Sequence, residues 1–325
     1  MTLTARILAI GCLVSVFGCD VGSESASADG SEGGVGSASG AGAEAGAGAA
    51  AAAGIGSASG AGSAAGGSTG ASAGAAATGG GGSGPGGSFT LLYRDDFDTL
   101  DLTRWQLMTH SWDTNLALFS SEAVSVAGGN LLIRLLPAPS GTVDDSGQSK
   151  SFLGAEVRSR DTLTYGRVRA RARLAKGSAV VSSLVTIYTP WPADNWNELD
   201  VECLGKDPAD LQYNAMVYMG PPTTPPVSQS VSPTADPQKV RLSQDPSADF
   251  HVYAVEWTPT SARFLVDDVE QRVWTTHIDR MTLPQNVLMT IWASSSSAWA
   301  GAVAPETSMA AAAYDWIELY RYNAP

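Results

Sequence analysis

An all-β fold, a β-sandwich or jelly roll, is predicted for residues 88–325 of this 325-residue chain. Two observations carry the prediction. Short segments of alternating apolar and polar residues recur between turn signals, and no long segment repeats with the 3.6-residue period of a helix. All nine Trp lie beyond residue 104, so the core and any ligand surface belong to this part of the chain. A single all-β unit of roughly 200–250 residues is an ordinary size.

The elements follow in order. Val124–Ala127 and Leu131–Leu135 flank Gly128-Gly129, a hairpin pattern. Gly166–Leu174 alternates strictly, with arginines on one face and small apolar residues on the other, which reads as a half-exposed strand rather than a basic binding stripe. Phe250–Trp257 and Ala262–Asp267 alternate again on either side of Pro259, and Val287–Trp292 and Tyr314–Tyr322 complete the strands.

The N-terminal part differs. Residues 1–19 contain an apolar run from Ile7 to Phe17, too short to span a bilayer but of signal-peptide length. The run ends Val16-Phe17-Gly18-Cys19, which resembles a bacterial lipobox and predicts acylation of Cys19; the alternative is an ordinary signal peptide and a freely secreted protein. Residues 20–87 are nearly all Gly, Ala and Ser, with too little bulky surface to offset ordering entropy, so a disordered tether is expected. Such a coil reaches on the order of 45 Å. The G-x-S-x-G pattern at Gly70–Gly74 has no strand or helix around it and is a chance match.

A net charge of −13, without a Lys/Arg cluster, excludes nucleic acid as the expected partner. A neutral ligand held by aromatic faces and hydrogen bonds fits better. Cys203 is the only thiol expected in the folded part, so no internal disulfide is available.

The most informative stretch is Asn197-Glu198-Leu199-Asp200-Val201-Glu202-Cys203-Leu204. A strand sends alternate side chains to opposite faces, so Leu199, Val201 and Cys203 face a core while Glu198, Asp200 and Glu202 share the other face. Three carboxylates so placed repel one another, and fold stability does not account for them. A solvated strand is one alternative. A calcium site is another, although calcium loops contain turn residues that this run lacks. Glycoside hydrolysis uses two carboxyl groups, ~5–5.5 Å apart in the retaining mechanism. The Cα atoms of Glu198 and Glu202 are expected ~13 Å apart on an extended strand, a gap that inward-leaning side chains largely close. Asp200 between them can separate their acidities, and mutual repulsion raises the pKa of the carboxyl that must stay protonated.

The run resembles the E-x-D-x-E signature of glycoside hydrolase family 16, and Asn197–Asp207, NELDVECLGKD, is similar to bacterial lichenases, the β-1,3-1,4-glucanases. Further ordered likenesses are Asp95–Asp98 with Leu102–Trp105, Gly154–Ser159 with Thr164–Gly166, Phe250–Tyr253 with Glu256–Pro259, and Tyr314–Trp316. The resemblance implies a β-jelly roll of two curved antiparallel sheets with a concave glycan cleft. It implies Glu198 as nucleophile, Glu202 as general acid/base and Asp200 as assistant to the nucleophile. It implies sugar contacts from Glu156, Arg158, Asn115 and the indoles of Trp196, Trp292 and Trp299, with Trp105, Trp257 and Trp316 left to the core. No cofactor is implied for catalysis, but a structural calcium is, on the Asp315 carboxylate and main-chain oxygens near Asp96 and Gly129.

The expected protein is therefore an exported, membrane-tethered, monomeric endo-β-glucanase acting on β-1,3-1,4- or β-1,3-linked glucan. A transglycosylase on the same fold and a non-catalytic glycan-binding protein are the rivals. This chain departs from lichenases in lacking a cleft disulfide, in Leu184–Ile187 where aromatics are usual, in Met216 and Cys203, and in a Pro-rich insert over 221–246.

Overall fold

The structure, a computed structural model, describes residues 87–189, 196–218, 228–230 and 239–325. The expected signal segment, Cys19, nearly all of the tether, the side chain of Trp196 and most of the 221–246 insert lie outside the described residues.

The strands in chain order are β1 (Ser88–Asp95), β2 (Trp105–Leu107), β3 (Ala117–Phe119), β4 (Val124–Ala127), β5 (Asn130–Arg134) and β6 (Leu136–Pro137). They continue with β7 (Phe152–Ser159), β8 (Gly166–Arg173), β9 (Val180–Ile187), β10 (Trp196–Leu204), β11 (Asp210–Tyr218) and β12 (Ser228–Ser230). The last are β13 (Lys239–Arg241), β14 (His251–Trp257), β15 (Ala262–Val266), β16 (Val269–Trp274), β17 (Asn286–Ala293) and β18 (Ala311–Asn323), with a one-turn helix α1 (Ser297–Ala300) between the final two. They form two sheets. One runs β16-β15-β14-β8-β18-β5-β4 with β1 also on β18, and the other runs β12-β11-β10-β9-β17-β7-β2. The predicted all-β sandwich is the observed architecture.

Local chemistry explains the pairings. Gly128 (φ 61°) and Gly129 (φ 70°) supply the two left-handed positions of a two-residue turn, so Ala127 pairs with Asn130 in the predicted hairpin. On β8, Val168, Ala170 and Ala172 are fully buried and the intervening arginines face outward. Arg167 pairs with Glu256, Arg169 with Glu318 and Asp268, and Arg171 with Asp315, so the basic face is a layer of ion pairs. Trp105 and Trp257 are fully buried, as expected. The Trp105 indole N–H donates to Asp95 Oδ2 at 2.8 Å while Asp95 Oδ1 accepts from Phe97 N, which explains the Asp-Asp-Phe…Trp pattern.

Trp316 corrects the expectation. A bulge between Tyr314 and Trp316 adds Asp315 to the strand, so Tyr314 stays in the core and Trp316 turns outward, 4.4 Å from the Arg94 guanidinium. Leu199, Val201 and Cys203 join Tyr213, Tyr253, Tyr314 and Phe264 in the core between the sheets. Burial pushes the Cys203 thiol up to about 12, and its sulfur faces the carbonyls of Ala175 and Pro208, as expected of an inert thiol.

Candidate active site

The register of the second sheet fixes what stands beside what. Directly opposed residues of an antiparallel pair share a face. Glu202 is opposite Gln212 on β11 and Ser183 on β9; Ser183 is opposite Thr290 on β17, and Thr290 is opposite Glu156 on β7. One row therefore reads Gln212–Glu202–Ser183–Thr290–Glu156. The next reads Asn214–Asp200–Val185–Leu288–Arg158–Gln106, and a third Met216–Glu198–Ile187–Asn286. The strand that carries the carboxylates thus lies three strands, ~14 Å, from the one that carries Glu156 and Arg158.

This face points away from the core, yet Glu198, Asp200 and Glu202 are only 9%, 1% and 3% exposed. Such low exposure on an outer face marks the floor of a groove. One wall is a second apolar cluster of Phe119, Val181, Leu204, Trp292 and Ala300, with Met108, Trp112 and Trp299 packed on it. Trp292 is nearly buried, 5.0 Å from Trp112 and 5.7 Å from Trp299 between ring centroids. Its ring meets other indoles first, so Trp112 and Trp299 present the accessible aromatic surface.

The carboxyls have distinct surroundings. Glu202 Oε2 accepts from Gln212 Nε2 at 3.0 Å and from Asn214 Nδ2 at 3.2 Å. Desolvation and the Glu198 charge nevertheless raise Glu202 to about 8, with the Gln212 bond opposing them. Asp200 is raised well above its ordinary range by burial, then by the charges of Glu198 and Glu202. The Asn214 amide opposite Asp200 opposes that rise, and the Asp200 carboxyl lies within hydrogen-bonding reach of Glu198. A bond between these two carboxyls requires a proton between them, and burial beside two like charges favours the neutral form of Asp200.

On β7, Arg158 Nε donates to Glu156 Oε1 at 2.8 Å, and His110 Nε2 lies 3.5 Å from Glu156 Oε2. Asn115 is fully buried: its Oδ1 accepts from Ala117 N at 2.8 Å and its Nδ2 has no partner. It shapes its own loop. Lys150 ties that loop down, donating to the carbonyls of Trp112 and Asn115, both at 2.8 Å. The loop carrying Trp299 is clamped by Lys206, which donates to Ala298 O at 2.9 Å, and by Ala179 N donating to Ala300 O. Gly205 packs against the 176–179 turn so closely that a Cβ would lie 2.5 Å from Gly177 O.

Gln212, Asn214, Trp112 and Lys150 were not among the sequence-predicted residues. Alternating polar residues along Asp210–Met216 were a signal for the first two; for Lys150 there was none. Asp315, expected to hold calcium, has its carboxylate on the Arg171 guanidinium. The Arg171 guanidinium thus competes for the carboxylate on which calcium was expected.

The sequence model of the family described as Glycosyl hydrolases family 16 matches residues 117–318. A beta-glucanase of Fibrobacter succinogenes is 31% identical over 180 residues, 54% of this chain and 48% of that protein; the chain thus spans about half the length of that relative. A beta-glucanase of Paenibacillus polymyxa is 27% identical over 214 residues, 66% of this chain and 77% of that protein. Among solved structures, a prokaryotic beta-1,3-1,4-glucanase (lichenase) derived from a mouse hindgut metagenome superposes with a TM-score of 0.57 at 27% identity, covering 70% of this chain and 98% of that one.

Proposed function

This chain belongs to glycosyl hydrolases family 16, and from that premise we propose that it is a retaining endo-β-glucanase cleaving β-1,3-1,4- or β-1,3-linked glucan. The observation that carries the reading is the division of labour along β10. Glu202 is buried, held by the Gln212 and Asn214 amides and pushed up to about 8, while Glu198, four residues away on the same face, lies within hydrogen-bonding reach of Asp200, whose carboxyl is raised well above its ordinary range.

Double displacement follows from those states. Glu198 attacks the anomeric carbon and forms the glycosyl–enzyme ester as the glycosidic C–O bond breaks. Glu202 gives its proton to the departing glycan oxygen. Glu202, now ionised, takes a proton from water; the water oxygen attacks the anomeric carbon, and Glu198 leaves as carboxylate. The Asp200 hydrogen bond stabilises Glu198 whenever it is charged, before attack and after release. No step needs a cofactor.

Glycan rings are held against Trp299 and Trp112, with Glu156 and Arg158 bonding hydroxyls across the groove. Aromatic faces supply apolar contact to a neutral sugar, and a side chain such as Arg158 supplies orientation. The export reading rests on sequence alone: a signal over 1–19, acylation at Cys19 that anchors the protein to the bacterial cell envelope, and a tether over 20–87.

The test is a reducing-sugar assay on lichenan, laminarin, xyloglucan and agarose, with proton NMR of the first product anomer. Release of β-anomeric oligosaccharides from lichenan or laminarin is expected. An α-anomer would overturn the retaining mechanism, and inertness on all four would overturn the activity. Excess acceptor glucan in the same assay separates hydrolysis from transglycosylation.

A further inference from the structure

Trp299 has two kinds of contact. Its ring lies on the aromatic wall beside Trp292, tilted by 35°. Its indole N–H donates to Gln212 Oε1 at 2.9 Å, and the other end of that same amide, Nε2, donates to Glu202 Oε2 at 3.0 Å. An amide has one acceptor end and one donor end. The indole has only a donor, so Trp299 dictates which end of Gln212 faces Glu202. Without that N–H the amide can turn over and present its oxygen to the carboxyl.

We propose that Trp299 and Gln212 form a relay that fixes the carboxyl of Glu202 and links the aromatic wall of the groove to the proton-transfer group. Trp299 is then a positioning residue as well as a sugar platform. The relay rests on the reading of Glu202 as acid/base. It spans two elements far apart in sequence, α1 and β11, and both ends are held: α1 by Lys206 and Ala179, and Gln212 by its place in β11.

The groups around Glu202 leave the relay as its adjustable neighbour. On its own strand stand the acids Asp200 and Glu198; on β9 and β17, Ser183 and Thr290, bonded to each other; on β11, Gln212 and Asn214. Lys239 on β13 is opposite Gln212, and Lys206 is bound to Ala298 O. Among these, Gln212 and Asn214 donate to the Glu202 carboxylate.

The discriminating variant is Trp299→Phe, which keeps an aromatic face and removes the donor. Loss of an enforced donor to the carboxylate favours the protonated form. The basic limb of kcat/KM on glucan should therefore move up by about 0.5–1 pH unit. The kcat should fall ~10-fold with KM changed less than ~3-fold. On an aryl glucoside whose acidic phenol leaves without proton donation, the loss should shrink to under ~3-fold, because that step bypasses Glu202. Gln212→Met, which breaks the relay from its other end, should reproduce the pattern, and serves if Trp299→Phe does not fold. A variant with an unmoved pH profile and a changed KM alone would overturn the relay and leave Trp299 as a platform. Carbon-13 NMR titration of the Glu202 carboxyl, in wild type and variant, makes the same distinction without turnover. An unmoved midpoint defeats the relay, whereas a moved midpoint in a protein inert on every glucan defeats the activity and leaves the relay standing.

Discussion

Lys150 and Asp144 form an ion pair 3.1 Å long with side chains only 1% and 5% exposed. The ammonium does more than pair: it also donates to Gln148 Oε1 at 2.7 Å and to the carbonyls of Trp112 and Asn115. Asp144 in turn accepts from Ser146 N and Gln148 N. A buried charge so fully bonded costs its desolvation but fixes one geometry. Here the geometry is that of the loop carrying Trp112 onto the aromatic wall.

Lys150→Met keeps the apolar stem and strands Asp144 and two carbonyls. Removing one partner of a buried pair costs roughly 3–5 kcal/mol. A melting temperature lower by ~6–15 °C is expected, together with a red shift in tryptophan emission as Trp112 loosens. An unchanged melting curve would mean that the loop is held otherwise.

Glu198→Gln should lower kcat on glucan by ~10³-fold or more while leaving the melting temperature within a few degrees. Activity within ~10-fold of wild type would remove the nucleophile assignment.

Glu202→Gln tests the other carboxyl through stability. Its folded value of about 8 lies above the ordinary 4.5, so the folded protein binds this proton more tightly than the unfolded chain. Its stabilising contribution is complete below about 4.5 and is lost as pH rises through about 8. The glutamine variant should therefore melt on the order of 10 °C above wild type at pH 9, with the gap closing near pH 4. Parallel melting curves across that range would contradict the raised value. In the wild type, hydrolysis should decline above about pH 8 as Glu202 loses its proton.

Cys19→Ser should move the full-length protein from the detergent-extractable membrane fraction to the soluble one. Wild-type protein found soluble and unacylated would end the lipid-anchor reading.

The Arg171–Asp315 pair predicts that calcium has no hold on this carboxylate. Melting temperatures in chelator and in millimolar calcium should agree within ~1 °C, since binding to the folded state alone would raise the latter. A clear calcium-dependent rise would show that the ion displaces Arg171.

Period-two alternation was enough to read β8, the Gly128-Gly129 hairpin and the shared face of Glu198, Asp200 and Glu202. Alternation fails where the ladder slips: one extra residue at Asp315 turned Trp316 out of the core. It also assigns a face without a depth: that Trp112 and Trp299 pack over Trp292 depends on loops that alternation does not describe. The Trp299–Gln212 bond and the Lys150 cross-link join residues 87 and 35 or more positions apart. Such contacts leave no local pattern, because they arise only when the sheet brings distant loops together.

The close approach of Gly205 to Gly177 gives the tail of the Asn197–Asp207 string a role in modularity. Gly205, Lys206 and the 177–179 turn hold the Trp299 loop as one mechanical part with the carboxylate strand. Grafting the carboxylate strand from a relative into this scaffold, or the Trp299 loop alone, would separate pieces that fit only as a set. Recombination between such enzymes should succeed at breakpoints that keep 176–180, 196–207 and 297–301 from a single parent, and fail at breakpoints that divide them.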